Sequence, residues 1–510
     1  MSSTTTTTVT TALDTAAAAP IRTRSMGKPG GVLSKIHTED YREIRRRQHQ
    51  HADIVIVGAG IVGCAAAVAF GKQGRSVILL ERSLKEPDRI VGELLQPGGV
   101  NALEKLGLRD CLEDIDAVPC YGYQVSYHRE PAHIPYPANL TDNSSPSNPP
   151  EGRSFHHGRF ISKLRAAARA APNVTVIEST VNDVVKDSYT NQILGVQCTT
   201  AGKPDCYFGA VTLISDGYAS KFRKSYISHT PEVRSKFWAL ELIDAVLPMP
   251  NHGHVILSNA PPILIYQIGT HETRILIDVP ENCPSASPKN GGIKNHLLNV
   301  AMPNLPECVR PSFQKAIEAG KLRSMPNSFL PPAVQKTPGL IILGDAMNMR
   351  HPLTGGGMTV AFNDVLTLSQ LLSPDNVPNL EMTDDVLKQM QRFHWERKSA
   401  SSVINILAMA LYALFAADES TLTALQNGCF RYFQRGGKCV SEPCGLLAGL
   451  IRRPWVLVYH FFAVAFYGVW CRMLEGPVWR MPYVLLIESV LIIWKAAMVI
   501  GPYLVAEVRS

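Results

Sequence analysis

The stretch HADIVIVGAGIVGCAAAVAFGKQGRSVILLER, from His51 to Arg82, decides the fold class. It begins with an apolar run of the buried-strand type and continues through the fingerprint GAGIVG at 58–63 into an alanine-rich helical stretch. It ends in a second apolar run that Glu81 closes. Strand, glycine turn, helix, strand and terminal acid in this order indicate a dinucleotide-binding βαβ unit.

Each position of the fingerprint has a physical role. Gly58 makes the tight turn, Gly60 lets a pyrophosphate approach the backbone, and Gly63 lets the helix pack closely on the strand. Glu81 stands where an acid accepts hydrogen bonds from ribose hydroxyls. An acid rather than an arginine at this point favours FAD or NAD over NADP.

Two further segments end strands in the same way. The run AVTLISDG at 210–217 is a predicted strand that ends in Asp216 and a glycine. The run LIIL at 340–343 is followed by GDAMNMRHPLTGGGMTVAFND at 344–364, in which Asp345 comes first and three glycines then open a helix. Acids at the carboxyl ends of strands can bind the hydroxyl groups of a ligand. Glycines at the start of a helix let the backbone N–H groups approach a flat ring or a phosphate, because no Cβ atom is in the way. The alternative is a solvent loop with a glycine-rich helix cap, which would need neither the acid nor three consecutive glycines.

Four motifs make the chain resemble a narrower group of proteins. They are DRIVGELLQPGG at 88–99, FHHGRF at 155–160, LRSMP at 322–326 and NMRHPLTGGGM at 348–358. With them the chain resembles the FAD-dependent monooxygenases of the hydroxybenzoate hydroxylase fold and, within these, the squalene epoxidase (squalene monooxygenase) family. The resemblance covers residues 51–505. It departs from the broader class at Ser215, where an alanine usually precedes the Asp-Gly pair.

The patterns and the resemblance together predict an α/β fold. It has a Rossmann-like FAD-binding domain, an inserted substrate domain with an antiparallel sheet, and a C-terminal helical region associated with a membrane. The FAD-binding domain is predicted at 51–230 and 331–375, the substrate domain at 231–330 and the helical region at 376–510. Residues 1–50 begin with a Ser/Thr run and end in a basic patch, and they are predicted to form a disordered tail. The Asn/Ser/Pro-rich segment 142–152 is predicted to be a surface loop.

Three apolar stretches lie in the C-terminal region. Residues 455–470 are rich in aromatic residues, and residues 483–505 are apolar except for Glu488 and Lys495. These two charges and the shortness of the first stretch favour helices seated in one leaflet, or a shallow hairpin, over complete membrane spans. A pair of buried core helices is the alternative. Residues 403–417 are predicted to roof the substrate cavity.

Composition limits the partners of the chain. The 510 residues carry a net charge of +7. This charge is too evenly spread to form a nucleic-acid-binding surface, but it helps the protein to approach an anionic membrane. We therefore expect no nucleic-acid partner. The eleven cysteines are scattered without metal-ligand spacing, so no metal site is predicted.

The resemblance also implies the site residues. In squalene epoxidases the tyrosine that matches Tyr123 lies at the flavin end of the pocket, and the glutamine that matches Gln96 hydrogen-bonds to it. Tyr123 is therefore the candidate for catalytic positioning, and Gln96 orients it. The alternative is a buried tyrosine whose hydroxyl only satisfies a neighbour. The predicted FAD-binding residues are Gly58, Gly60, Ile61, Val62, Gly63, Glu81, Arg82, Arg89, Arg159, Asp216, Asp345, Gly356 and Met358.

The implied reaction is epoxidation of squalene with O2 to (S)-2,3-epoxysqualene in sterol (ergosterol) biosynthesis. Squalene has no group that a general acid or base can ionise, so the oxygen has to be activated, as a flavin C4a-hydroperoxide. The sequence has one complete dinucleotide fingerprint, and the resemblance implies that a separate NADPH-dependent cytochrome reductase delivers the electrons. It also implies a location at the endoplasmic reticulum membrane, with lipid droplets as a second location. The alternative function is an FAD-dependent polyprenyl lipid reductase or dehydrogenase on the same fold.

Overall fold

The computed structural model describes residues 50–138, 149–416, 419–475 and 477–509. The disordered tail predicted for residues 1–50 lies outside these residues except for Gln50, as does most of the loop predicted at 142–152.

Sixteen strands and fourteen α-helices are found in the described part of the chain. The strands are β1 (His51–Val57), β2 (Val77–Glu81), β3 (Leu94–Leu95), β4 (Val118–Cys120), β5 (Gly122–Tyr127), β6 (Glu130–Pro135), β7 (Gly152–Ser154), β8 (Val174–Lys186), β9 (Ile193–Thr200), β10 (Lys203–Ile214), β11 (Glu232–Ile243), β12 (Gly253–Leu257), β13 (Ile263–Gln267), β14 (Glu272–Pro280), β15 (Arg323–Phe329) and β16 (Leu340–Ile342). The helices are α1 (Ile61–Lys72), α2 (Pro97–Lys105), α3 (His157–Ala170), α4 (Arg223–Tyr226), α5 (Gly292–His296), α6 (Arg310–Ala319), α7 (Gly357–Leu371), α8 (Thr383–Glu396), α9 (Lys398–Phe415), α10 (Ser420–Gln434), α11 (Lys438–Leu447), α12 (Pro454–Leu474), α13 (Met481–Tyr483) and α14 (Ser489–Arg509).

The first sheet has a parallel core. Strand β1 pairs in parallel with β2 on one side and with β10 on the other, β2 pairs with β8, and β10 pairs with β16. Strand β9 runs antiparallel to β8 and to β10. Six of the seven residues of β1 are buried, as expected for a parallel strand that is covered on both faces. The carboxyl ends of β1, β10 and β16 therefore meet at one edge, where the three predicted ligand segments begin.

The second sheet has the order β15-β11-β14-β13-β12-β5-β6. Its pairings are antiparallel except for β12 with β5, which run in parallel, Gly253 opposite Tyr123. This corrects the predicted division of the chain, because β5 and β6 lie within 51–230 but belong to the substrate-side sheet. The sequence gives no local sign of this, since the pairing joins segments more than a hundred residues apart. A third, small sheet has the order β3-β7-β4.

Three helices of the described residues are long and apolar enough, by length and composition, to cross a membrane. They are Lys398–Phe415, Pro454–Leu474 and Met481–Val508. The first is 72% buried inside the protein, whereas the other two are 39% and 22% buried. Helix α9 thus packs into the core, while α12 and the helix that ends in α14 keep apolar faces exposed.

The two charges that interrupt the last apolar stretch both have partners. Arg472 Nε donates to Glu488 Oε2 at 3.2 Å, and Lys495 Nζ lies 2.6 Å from Glu419 Oε2. Each charge is thereby neutralised by a neighbouring helical element, which lowers the cost of placing it near an apolar phase.

Candidate active site

The turn after β1 has the geometry of a nucleotide cradle. Gly58 has a φ of +99°, and its N–H donates to Leu80 O at 2.7 Å. A Cβ atom at Gly63 would lie 1.9 Å from Gly58 O, so only glycine lets α1 approach the turn this closely. A Cβ atom at Gly60 would meet no described atom within 4 Å, and α1 begins without a side-chain cap. Its N-terminal N–H groups therefore face open space, as an incoming phosphate requires.

Glu81 supports this turn from the end of β2. Its Oε2 atom accepts a hydrogen bond from Ala59 N at 2.8 Å and lies 3.5 Å from Arg165 Nη2. Arg165 Nε in turn donates to Ala59 O at 2.9 Å. The acid, the turn and the arginine thus hold one another in place beside the fingerprint.

Arg223 ties the second and third segments together. Its Nη2 atom donates to Tyr218 O at 2.8 Å and to Asp345 O at 2.9 Å, and its Nε donates to Ala346 O at 2.9 Å. Ser215 Oγ donates to Val57 O at 2.9 Å, which joins the second segment to the first. All three segments are therefore held at one edge of the sheet.

One cavity joins this edge to the second sheet. Its empty volume, including the space at its open mouth, is about 1470 Å³. Its wall on the cofactor side includes Gly60, Ile61, Val62, Arg89, Asp345 and Met358. On the opposite side the wall is mostly apolar and includes Tyr123, His254, Leu264, Tyr266, Met325 and Leu353. A dinucleotide at the first wall would thus meet an apolar ligand at the second.

Polar side chains show what kind of group fits the cofactor side. Arg89 Nε and Asp216 Oδ1 are buried and have no hydrogen-bond partner among the described residues. Arg89 also lies 3.8 Å from Asp345 Oδ2, and Asp216 Oδ2 accepts from Lys221 N at 3.2 Å. Burial raises the pKa of Asp216 above its ordinary value. The side chains of Arg89 and Asp345, by contrast, line the cavity and stay partly exposed, so they suit a ligand with phosphates and several hydroxyls, such as FAD.

Seven of the predicted cofactor residues do not line the cavity. Gly58, Gly63 and Glu81 form or support the turn after β1, and the other four lie elsewhere. Arg82 is exposed, and Arg159 Nη1 lies 3.3 Å from Asp116 Oδ2. Gly356 packs against Ile404, whose Cγ2 atom would lie 2.4 Å from a Cβ atom at that position. Asp216 lies behind the wall, between Ser215 and Gly217, which both line the cavity.

Tyr123 and Gln96 are in contact with each other. Tyr123 is on β5, is 7% exposed and lines the cavity. Gln96, which is 0% exposed, donates from Nε2 to Tyr123 Oη and, at 2.8 Å, to Thr354 O. Burial raises the pKa of Tyr123 well above its ordinary value, so the phenol keeps its proton at physiological pH.

A buried ion pair in the same wall was missed by the sequence analysis. Glu93 lines the cavity, and its two carboxylate oxygens accept from Arg274 Nη2 and Nε at 2.9 Å each. Tyr266 Oη lies 3.4 Å from Glu93 Oε2. Each partner is the one charged residue of an otherwise apolar run, at 90–95 and at 274–277. This pattern indicates a buried ion pair only once the two runs are known to face each other.

Buried histidines predict that the protein is labile to acid. Burial lowers the pKa of His157 and of His254 from 6.5 to about 4, and that of His351 to about 3. The unfolded chain then binds more protons than the folded one below pH 6.5, so the free energy of unfolding falls as the pH falls through this window. Asp278 has the opposite effect on the free energy of unfolding. Burial raises its pKa to about 6, so at this residue the folded chain binds more protons than the unfolded one.

We expect the thermal unfolding midpoint to fall as the pH is lowered from 6.5 to 4.5. Each histidine should lower the free energy of unfolding by at most roughly 3 kcal/mol over this range. Thermal unfolding at several pH values measures it. His254→Gln should flatten the dependence. A midpoint that rises steadily with acid would contradict the prediction.

Solved structures share this fold. The structure of PqsL from Pseudomonas aeruginosa, described as a probable FAD-dependent monooxygenase, matches with a TM-score of 0.59 and 19% identity, covering 72% of this chain and 97% of that one. The p-nitrophenol 4-monooxygenase PnpA from Pseudomonas putida matches with a TM-score of 0.61 and 17% identity, covering 80% and 100%. The fold is that of the FAD-dependent monooxygenases, as predicted.

Sequence relatives are more specific. The family model described as squalene epoxidase matches residues 208–486. Squalene epoxidase erg1 of Aspergillus fumigatus is 62% identical over 478 residues, which cover 94% of this chain and 98% of that protein. Squalene epoxidase ERG1 of Saccharomyces cerevisiae is 41% identical over 487 residues, which cover 89% and 96%. The chain belongs to the squalene epoxidase family, which confirms the resemblance that the four motifs carry.

Proposed function

We propose that this protein is an FAD-dependent squalene monooxygenase that forms (S)-2,3-epoxysqualene in sterol biosynthesis. The single cavity that joins a nucleotide cradle to an apolar wall carries the proposal. The relatives named squalene epoxidase, at up to 62% identity in those compared, support the substrate. One atom of O2 enters the epoxide, the other leaves as water, and NADPH is the two-electron donor.

The three segments hold FAD in this proposal. The N–H groups at Gly60, Ile61 and Val62 bind the pyrophosphate, while Gly58 and Gly63 permit the turn. Glu81 accepts from the ribose hydroxyls, since it stands directly beside the turn.

Other residues on the cofactor side complete the proposed FAD site. Arg89 and Asp345 bind the polar chain between the phosphates and the ring, and Asp216 acts there through water or backbone. Met358, at the start of α7, lines the cavity and would stand beside the bound FAD. Arg82, Arg159 and Gly356, which lie off the wall, would contact FAD only after side chains move or through backbone atoms.

Bound FAD, once reduced, would supply the activation of O2, and the residues of the chain place the alkene. Squalene is a hydrocarbon, so the wall around Leu264, Met325 and Leu353 binds it by excluding water. Because its pKa is low, His254 stays neutral and adds no charge to this wall. Tyr123 is the side chain that we propose for catalytic positioning. Gln96 orients it through a hydrogen bond from Nε2 to the phenol oxygen.

Electrons come from a separate NADPH-dependent cytochrome reductase. The described residues contain one complete glycine fingerprint, at 58–63, which FAD would fill. NADPH then has no equivalent cradle in the described part of the chain. A partner that carries its own NADPH site would then supply the electrons.

The test is product analysis with isotopically labelled O2. Full-length protein in detergent, with FAD, NADPH, squalene and a cytochrome reductase, should yield epoxysqualene that carries one labelled oxygen. Omission of the reductase should stop turnover, and full NADPH consumption without it would refute the electron route. The polyprenyl reductase alternative is not favoured by the relatives, and it would be supported if squalene conversion continued without oxygen.

We also propose that α12 and the helix 481–508 seat the enzyme on the endoplasmic reticulum membrane. Their exposed apolar residues include Trp455, Phe466, Leu486 and Trp494, and Trp479 lies in the short turn between them; each is more than half exposed. Large exposed apolar faces with tryptophan suit the interface of a bilayer. The catalytic part then faces the cytosol, and lipid droplets present the same type of surface.

Leu486→Asp is expected to lower binding to phospholipid vesicles by about tenfold or more, since it puts a charge where an apolar side chain meets lipid. Co-sedimentation with vesicles measures it. Val246→Asp is the matched control, because Val246 is similarly exposed (65% against 72%) but follows β11 of the second sheet. Equal losses for both variants would contradict the proposed surface.

A further inference from the structure

We propose that Tyr136 is a positioning residue for the reaction. By donating to Gln96 Oε1 it fixes the side-chain amide, and the amide in turn leaves the hydroxyl proton of Tyr123, a residue that lines the cavity, uncommitted to Gln96. The proposal rests on the proposed function, because Tyr123 matters in this way only if the cavity holds flavin and alkene.

The hydrogen-bond network sets the orientation of the Gln96 amide. Thr354 O is a backbone carbonyl, which can only accept, so the group 2.8 Å from it is Nε2. Oε1 then points the other way, where Tyr136 Oη lies at 2.6 Å. An amide oxygen can only accept, so Tyr136 donates its proton to Gln96.

The same assignment of donors and acceptors decides the role of Tyr123. One hydrogen of Nε2 serves Thr354 O, and the other points at Tyr123 Oη. Tyr123 therefore accepts from Gln96 and does not spend its own proton on it. Because Tyr123 lines the cavity and burial raises its pKa, that proton can be donated to an oxygen atom that reacts there.

Tyr136 is held firmly where this role needs it. It follows β6, is 3% exposed, and its N–H donates to Tyr121 O at 2.9 Å. Its ring meets the ring of Tyr123 edge-on, with centroids 5.9 Å apart.

One glycine makes room for the network. A Cβ atom at Gly355 would lie 3.2 Å from Gln96 Nε2, closer than an ordinary contact. The glycine-rich motif thus serves Gln96 as well as the cofactor.

Loss of the Tyr136 hydroxyl would leave Gln96 Oε1 as a buried acceptor without a partner. The amide would keep its orientation, because rotation would set Oε1 against the Thr354 carbonyl. It would, however, be held from the Nε2 side only, so its second hydrogen would be aimed less firmly at Tyr123. The hydroxyl of Tyr123 would then be positioned less well for the reaction.

The test is a double-mutant cycle on the holoenzyme with its reductase. Tyr136→Phe should lower kcat for squalene epoxidation by about tenfold, the rate equivalent of one hydrogen bond, with KM within about twofold. In a Tyr123→Phe background the same change should alter kcat by less than about twofold, because the group that it positions is gone. FAD content should stay unchanged in all variants.

Tyr127→Phe is the matched control. Tyr127 is also a buried tyrosine of β5, but it packs on Phe430 rather than on Gln96. The inference is overturned if Tyr136→Phe leaves kcat unchanged, or if it lowers kcat equally with and without Tyr123. If the wild-type enzyme forms no epoxide, the proposed function has failed instead.

Discussion

Replacement of Tyr123 by phenylalanine is expected to lower kcat for epoxidation by about a hundredfold or more, because it removes a pre-positioned donor from the reacting end of the cavity. The ring remains, so packing against Tyr136 and the apolar wall is kept. FAD binding should persist, since the cradle at 58–63 lies on another sheet. Steady-state kinetics together with the flavin absorption spectrum measure the effect.

Tyr123→Ala extends this test. It removes the ring as well, so stability should fall by about 3–5 kcal/mol while catalysis is lost to the same extent or further. Tyr127→Phe should retain kcat. If Tyr123→Phe kept kcat within about twofold of wild type, the hydroxyl would only satisfy its neighbour Gln96, and its proposed role would be wrong.

Arg397→Met is expected to lower the stability by about 3–5 kcal/mol, because it leaves a buried carboxylate without its partner. Arg397 and Asp364 are each 2% exposed, and their atoms pair at 2.8 and 3.0 Å. Arg397 also donates to Asn348 Oδ1 at 3.2 Å, within the motif that borders the cavity. Chemical denaturation of the FAD-loaded enzyme, followed by flavin release, measures the change.

Two further variants make this result specific. Arg397→Met combined with Asp364→Leu should regain much of the loss, since an apolar pair can replace a buried ion pair. Glu396→Gln breaks an exposed pair with Arg392 and should cost less than about 1 kcal/mol. Equal effects of Arg397→Met and Glu396→Gln would contradict the burial argument.

The cofactor part of the site was predictable because its signals are local. Gly58, Gly63 and Glu81 act within one βαβ unit, and their spacing alone reports the turn, the close packing and the acid. The acid at 345 and the glycines at 355–357 likewise follow one strand directly. In each case the residues that cooperate are close along the chain.

The substrate part was less predictable because its contacts are long-range. Glu93 and Arg274 meet across 181 positions, and Tyr136 reaches Gln96 across 40. Tyr136 belongs to none of the four motifs, so its role depends on the pairing of β5 with β6 and on the fold of 96–97. Tyr123 itself came from the family resemblance rather than from any local pattern.

The order of strand pairing bears on how the chain is made. On the ribosome, β1 emerges long before β10, and the last parallel strand of its sheet is absent until Ile342 has been synthesised. Strand β5 likewise waits for β12 to leave the exit tunnel. For much of its synthesis the nascent chain therefore carries open strand edges, which chaperones must shield. Fragments that end before Ile342 should fail to fold as independent pieces.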